Sequence, residues 1–327
     1  MEAAAPGEAP SAPTTPDTAW TVPIELGGKR LDAVVRALSG RPWSEARELV
    51  ATGKIAIGGE THVYPDRSMT PGEVVEVRVR APRPRTVRLA ALDKSLIVYA
   101  DVHVVVVRKP AGISTVPFGD ETPEQRAETL DELVRDVLGR QGGGGRDRGA
   151  PLGVVQRLDK ETSGLLVFAR TFAAKKHLGQ QLRQHTMLRR YLGIAHGDVP
   201  KRTFRSHFVA DRGDRLRGSV QEGRREGQLA VTHVEPLERL NGATLVACRL
   251  ETGRTHQIRI HLSEAGHPLV GERVYIRDYR GVPIPAPRIL LHAAELGFAH
   301  PLDERPMRFE DPPPADFDRV LARLRVR

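Results

Sequence analysis

The order of apolar runs predicts an α+β protein: a domain on a mixed, mostly antiparallel sheet, preceded by a small α/β module. Three observations carry this expectation. Hydrophobic residues make up 39% of the 327-residue chain, enough for about two domains with sizeable cores. Strand-like runs clearly outnumber helical repeats in the long C-terminal part. Near the N-terminus, two helical repeats lead straight into a hairpin pattern.

Residues 1–21, rich in Ala, Pro and Thr without apolar periodicity, are expected to form a disordered tail. In residues 22–80, Leu31, Val34 or Val35, and Leu38 keep helical spacing. Ser44, read as an N-cap, precedes Ala46, Leu49 and Val50, which keep it again. Ile55-Ala56-Ile57, Gly58-Gly59 and Thr61-His62-Val63 read as a hairpin, because paired glycines accept the positive φ of a tight turn. Pro71-Gly72 marks another turn, and Val74–Val79 a closing strand. Residues 81–95, opening Ala81-Pro82-Arg83-Pro84-Arg85, read as a proline-stiffened linker.

The remaining domain, 96–327, starts with strands at Ile97–Tyr99 and Val102–Val107, broken at Lys109-Pro110-Ala111-Gly112. Leu130, Leu133, Val134 and Leu138 place a helix within 123–139. The glycine-rich run Gln141–Gly149 reads as a flexible loop, since no strand precedes it and no Lys-Ser/Thr follows as a phosphate cradle requires. Leu165–Ala169 is a buried strand, and Ala174, Leu178 and Leu182 mark a helix. Further strands are expected around 191–196, 229–234, 243–250, 256–261 and 296–299.

The net charge of +9, with 42 arginines against 8 lysines, suits a polyanionic partner, because the guanidinium fork matches phosphates and bases. A compositional bias toward Arg, Ala, Gly and Pro also accounts for the ratio. The longest apolar runs, such as Val104–Val107, fall far short of the roughly 20 residues that span a bilayer, so no membrane association is expected. The first residues carry neither a basic nor an apolar leader segment, so the expected compartment is the cytoplasm. Cys248, the single cysteine, reads as a small core residue.

Specific text then narrows the function. Arg30-Leu31-Asp32, Ser44-Glu45-Ala46-Arg47, Thr52–Gly59 and Pro71–Val77 resemble the S4 RNA-binding domain, with Gly58 where that family usually has Asn. The resemblance implies that Arg30, Arg41, Arg47 and Lys54 lie near RNA phosphates; a solvated basic face is the alternative.

The segment Val155–Leu166 sets Asp159 in a polar loop directly before an apolar strand, where Arg157 and Lys160 would keep a carboxylate ionised. A turn-forming or capping aspartate is the plain alternative. The string resembles the catalytic motif of the RluA-type family of RNA pseudouridine synthases. Four more segments match that family in chain order: Arg108–Gly112, Arg190–Gly197, Glu251–Leu262 continuing into Gly266–Tyr275, and Leu291–Pro301.

The resemblance implies an essential acid at Asp159, acting on the ribose of a target uridine by attack at C1′ or by taking the C2′ proton. It implies that Tyr191 stacks on the uracil and helps move its C5 proton, and that Arg254 pairs with Asp159. Arg157 would contact RNA as the base is flipped out. No cofactor or metal is implied, and Gln156 stands where the family usually has His. Other chemistry is poorly supported. His256 and His261, five apart in a run read as a strand, project to opposite faces, and His177 and His185 lack a third ligand. Asp159 and Glu161, two apart, do not establish a glycosidase pair. The expectation is a monomeric RNA pseudouridine synthase acting on large-subunit ribosomal RNA. The alternatives are transfer RNA as substrate, or a non-catalytic RNA-binding or ribosome assembly protein.

Overall fold

The computed structural model describes residues 17–62, 65, 67–81, 94–117, 129–141, 152–220 and 227–326, and the chain divides into two compact units, Met1–Val87 and Arg88–Arg327. Most of the expected tail and linker, and the glycine-rich run after Gln141, lie outside the described residues.

The leading unit packs α1 (Leu31–Ser39) and α2 (Trp43–Ala51) on a four-stranded sheet of β1 (Thr18–Thr21), β2 (Ile55–Ile57), β3 (Glu60–His62) and β4 (Val74–Val77), in the order β1-β4-β2-β3. Leu31, Val34, Val35, Ala46 and Val50 are fully buried against Ile55 and Val75, as their helical spacing requires. Gly58 and Gly59 turn the hairpin with φ of +57° and +87°. Two expectations are corrected. The last residues of the supposed tail form β1, because Thr18–Thr21 pair antiparallel with Val74–Val77 and cover an otherwise open edge. Helix α2 begins before Ser44: Pro42, extended at φ −57° and ψ 156°, is its N-cap and makes no side-chain cap.

The second unit is built on one eleven-stranded sheet. In chain order its strands are β5 (Ile97–Ala100), β6 (Val104–Lys109), β7 (Gly153–Val154), β8 (Ser163–Ala169), β9 (Leu188–His196) and β10 (Arg202–Val209). Then come β11 (Gly218–Ser219), β12 (Gln228–Leu240), β13 (Ala243–Leu250), β14 (Leu291–Ala299) and β15 (Pro306–Glu310). The path runs β11-β10-β12-β13-β9-β14-β8-β6-β5, with β15 on β14 and β7 on β8. All its pairings are antiparallel except β8 with β14. Helices α3 (Leu130–Gln141), α4 (Phe172–Arg183), α5 (Gln257–Glu264) and α6 (Ala315–Arg325) belong to the same unit.

The run at 256–261, read as a strand from its alternating Ile and polar residues, is instead helical and forms part of α5. His256 caps it in the left-handed conformation, φ 59°, and six successive residues from Gln257 to Leu262 are buried. Packing on both sides therefore overrides an alternation that propensity alone assigns to a sheet.

The parallel junction depends on Gly164. Its φ is +111°, and an added Cβ would stand 2.3 Å from the Ala293 carbonyl oxygen. Only a residue without Cβ lets β8 start this close to β14. That start fixes where the preceding loop, 155–162, leaves the sheet.

Candidate active site

Loop 155–162 is clamped on either side of Asp159. Just before it, the Thr115 hydroxyl donates to the Leu158 carbonyl (2.9 Å) and accepts from the Leu158 N–H (3.1 Å). Just after it, the Lys160 carbonyl accepts from the Gly112 N–H (2.8 Å) and from the Lys109 ammonium (2.9 Å). Lys109 is fully buried and also donates to the carbonyls of Pro110 (3.0 Å) and Ile113 (2.9 Å). Burial pulls its pKa down to about 7, partly opposed by the nearby Asp159 charge. The Lys109-Pro110-Ala111-Gly112 break thus supplies the splint for the acid. Asp159 itself keeps 24% of its side chain exposed.

The cation facing Asp159 is Arg259. Its Nη1 lies 3.6 Å from Asp159 Oδ2, while Nε and Nη2 bind the two oxygens of Glu272 at 2.8 Å each. Burial alone would raise the Glu272 carboxyl, but Arg259 and the backbone N–H groups of Val274 and Tyr275 hold it down to about 2. Glu272 is thereby a fixed anion that orients Arg259.

The expected pairing of Arg254 with Asp159 is corrected accordingly. Arg254 Nε donates to the Leu229 carbonyl (2.9 Å), and its N–H goes to Gln257 Oε1 (2.9 Å). The reason is the helix: Arg254 belongs to the turn ahead of α5, whereas Arg259 lies inside α5 among its buried residues. Gln257 organises that turn, accepting also from Thr252 and donating to Val231 and Thr232.

Strand β9 brings Tyr191, 7% exposed, to the same cleft of about 860 Å³, which Asp159, Arg157, Arg254 and Arg259 also line. Burial pushes the Tyr191 phenol up to about 12, with Asp159 adding to the rise and Arg189 opposing it. At neutral pH it is a neutral hydroxyl. Arg157 is exposed at the rim. Thus Asp159, Tyr191, Arg254 and Arg157 line one cavity.

Sequence reasoning missed Arg259, Glu272, Lys109 and Arg189 as members of the site. All four lie inside motifs already singled out or directly beside them, so a helical reading of 257–264 would have brought Arg259 inward. In the leading unit, Arg30 (Nη2, 2.7 Å) and Arg47 (Nε, 3.8 Å) converge on the buried Asp32. Arg41 pairs with Glu45 at 3.1 Å, and Lys54 donates to the Ala81 carbonyl.

A family model described as RNA pseudouridylate synthase matches residues 103–264, which contain the whole Asp159 loop, Tyr191 and Arg259. Ribosomal large subunit pseudouridine synthase D of Neisseria meningitidis is 35% identical over 94% of this chain and 81% of its own length. The chain belongs to the RNA pseudouridine synthase family. These enzymes are isomerases that act on RNA. The protein of the same name from Xylella fastidiosa is 35% identical over 93% of this chain and 92% of that protein. The uncharacterized RNA pseudouridine synthase YlyB of Bacillus subtilis is 34% identical over 93% and 97%. Among solved structures, human RNA pseudouridylate synthase domain containing 4 has the same fold, with TM-score 0.56 and 22% identity over 70% of this chain and 92% of that one. Both the expected fold class and the expected enzyme class hold.

Proposed function

We propose that this pseudouridine synthase isomerises uridine in large-subunit ribosomal RNA, with Asp159 as the acid that acts on the ribose. The observation that carries the reading is the convergence of a backbone-clamped carboxylate, the oriented Arg259 cation and the Tyr191 ring in one cleft. Arg259 faces Asp159 at 3.6 Å and aims it. Tyr191 stacks against the uracil while the base turns, and its hydroxyl stays protonated at working pH. Arg254 and Arg157 sit where the strand carrying the flipped nucleotide would pass. The substrate class follows the names of the relatives in Neisseria and Xylella.

In this reading residues 22–80 form an S4-like RNA-binding domain in which Arg30, Arg41, Arg47 and Lys54 engage phosphates. The catalytic domain is 96–327, and the protein works as a cytoplasmic monomer. Rearrangement within one nucleotide is redox-neutral, so the proposal includes no cofactor and no metal.

Tritium release from RNA labelled at uridine C5 tests it. The wild type is expected to release tritium from large-subunit ribosomal RNA, and Asp159→Ala to release none while still binding. Release from transfer RNA alone would move the substrate assignment, and release by Asp159→Ala would remove the acid from its role.

A further inference from the structure

Strand β9 carries a second buried side chain toward the cleft. Arg189 lies two residues before Tyr191, so the period of the strand puts both on one face. It is only 6% exposed and lines the cleft. Its Nη2 donates to the Glu251 carbonyl at 2.6 Å, and its Nε has no hydrogen-bond partner among the described residues.

Two other arginines are equally buried, and each has a carboxylate. Arg259 holds Glu272 at 2.8 Å and Arg288 holds Asp316 at 2.6 Å. Among the described residues no carboxylate lies within ion-pair distance of Arg189. A buried cation without a counter-charge is costly, and burial accordingly lowers the Arg189 pKa. The cost makes physical sense where negative charge arrives transiently. Phosphates are better served at the rim, where Arg157, Arg183 and Arg217 are exposed. Arg189 is buried beside Tyr191, where the base itself would sit.

Resting on the function proposed above, we infer that Arg189 is a catalytic residue that stabilises the uracil anion released when the C1′–N1 bond breaks. The electron pair of that bond leaves on N1 and spreads onto the carbonyl oxygens. At C1′ the deficit is met in one of two ways. The Asp159 carboxylate forms a bond there, or the C2′–H pair becomes the C1′=C2′ double bond as Asp159 takes the proton. After uracil turns, C5 bonds to C1′, the Asp159 ester breaks or the proton returns to C2′, the C5 proton leaves, and N1 gains one. No oxidant, reductant or co-reactant enters. The guanidinium of Arg189 donates to a uracil carbonyl oxygen, an interaction that strengthens as charge grows there.

The test exploits 5-fluorouracil, whose fluorine makes N1 more acidic and the leaving anion less dependent on help. Full-length wild type, Arg189→Gln and Arg189→Lys are compared at saturating enzyme in single turnover. The RNA substrates carry uridine or 5-fluorouridine at the target, and loss of the parent nucleoside is read by chromatography of the nuclease-digested RNA.

For Arg189→Gln, the rate on uridine is expected to fall by about 10²–10³-fold with RNA Kd within about threefold, and the deficit to shrink by about tenfold on 5-fluorouridine. Arg189→Lys, keeping a cation, falls less and shows the same shrinkage; it gives the comparison if the Gln variant fails to fold. An equal deficit on both nucleosides marks a merely structural arginine and overturns the inference. So does a weakened Kd with an unchanged saturated rate, which marks a phosphate contact. A wild type that converts neither nucleoside defeats the functional reading itself, an outcome distinct from an active wild type with an unaffected Arg189 variant.

Discussion

Arg259 stands between two carboxylates, with Glu272 bound through two nitrogens at 2.8 Å and Asp159 approached by the third at 3.6 Å. The tighter pair is fully enclosed and the looser one opens onto the cleft. Glu272 therefore fixes the guanidinium, and Asp159 keeps enough freedom to engage a sugar.

Arg259→Met leaves Glu272 buried and unpaired, which should cost about 3–5 kcal/mol of stability as well as activity. Arg254→Gln, which loses the hydrogen bond to Leu229 and a contact with the RNA strand, should cost about 1 kcal/mol of stability and lower the saturated turnover rate much less than Arg259→Met. Urea unfolding and tritium release on both variants check the ranking. A reversed order would restore Arg254 as the partner of the acid.

Lys109 predicts a pH signature. Its pKa falls from 10.5 unfolded to about 7 folded, so between those values the unfolded chain binds the extra proton. Stability from this group therefore rises with pH across that window, and below pH 7 the burial penalty stands in full. The unfolding free energy of wild type relative to Lys109→Met is expected to increase from pH 7 to pH 10. A flat difference rejects the assignment. Turnover should also drop in the variant, because the carbonyls of Pro110, Ile113 and Lys160 around the acid loop each lose the Lys109 donor.

Gly164→Ala forces a Cβ against the Ala293 backbone at a φ of +111°. A loss of more than about 2 kcal/mol is expected from the combined strain and overlap. Thermal melting measures it, and a neutral effect would mean that β8 can shift away from β14.

Replacing Arg30, Arg47 and Lys54 together by Gln should weaken binding to ribosomal RNA and flatten its salt dependence by up to about 0.7–0.9 in log–log slope for each phosphate no longer neutralised. The saturated rate should not change. Electrophoretic shifts at several salt concentrations read the slope.

How much of this was legible before the structure follows from what each feature depends on. Asp159 could be singled out because the string from Val155 to Leu166 is written in consecutive residues and resembles the family's catalytic motif; the polar loop before an apolar strand fits a turn or cap aspartate as readily. The leading helices and hairpin were equally local. Arg259 could not be chosen over Arg254, because the choice rests on whether 257–264 winds as a helix, and burial on both sides decides that. Strand β1 was hidden for a similar reason: Thr18–Thr21 has no strand pattern of its own and is held by Val74–Val77 from far along the chain. Arg189 carried no signal in a chain with many arginines; only the lack of an ion-pairing carboxylate among the described residues distinguishes it.

Arg288 gives the fold one more property. It grips Asp316 at the start of α6 with one side of its guanidinium and the Glu161 carbonyl and Ser163 hydroxyl with the other. The closing helix is thereby harnessed to the loop that presents the acid. Trimming the chain ahead of α6 would amount to editing the active centre from a distance.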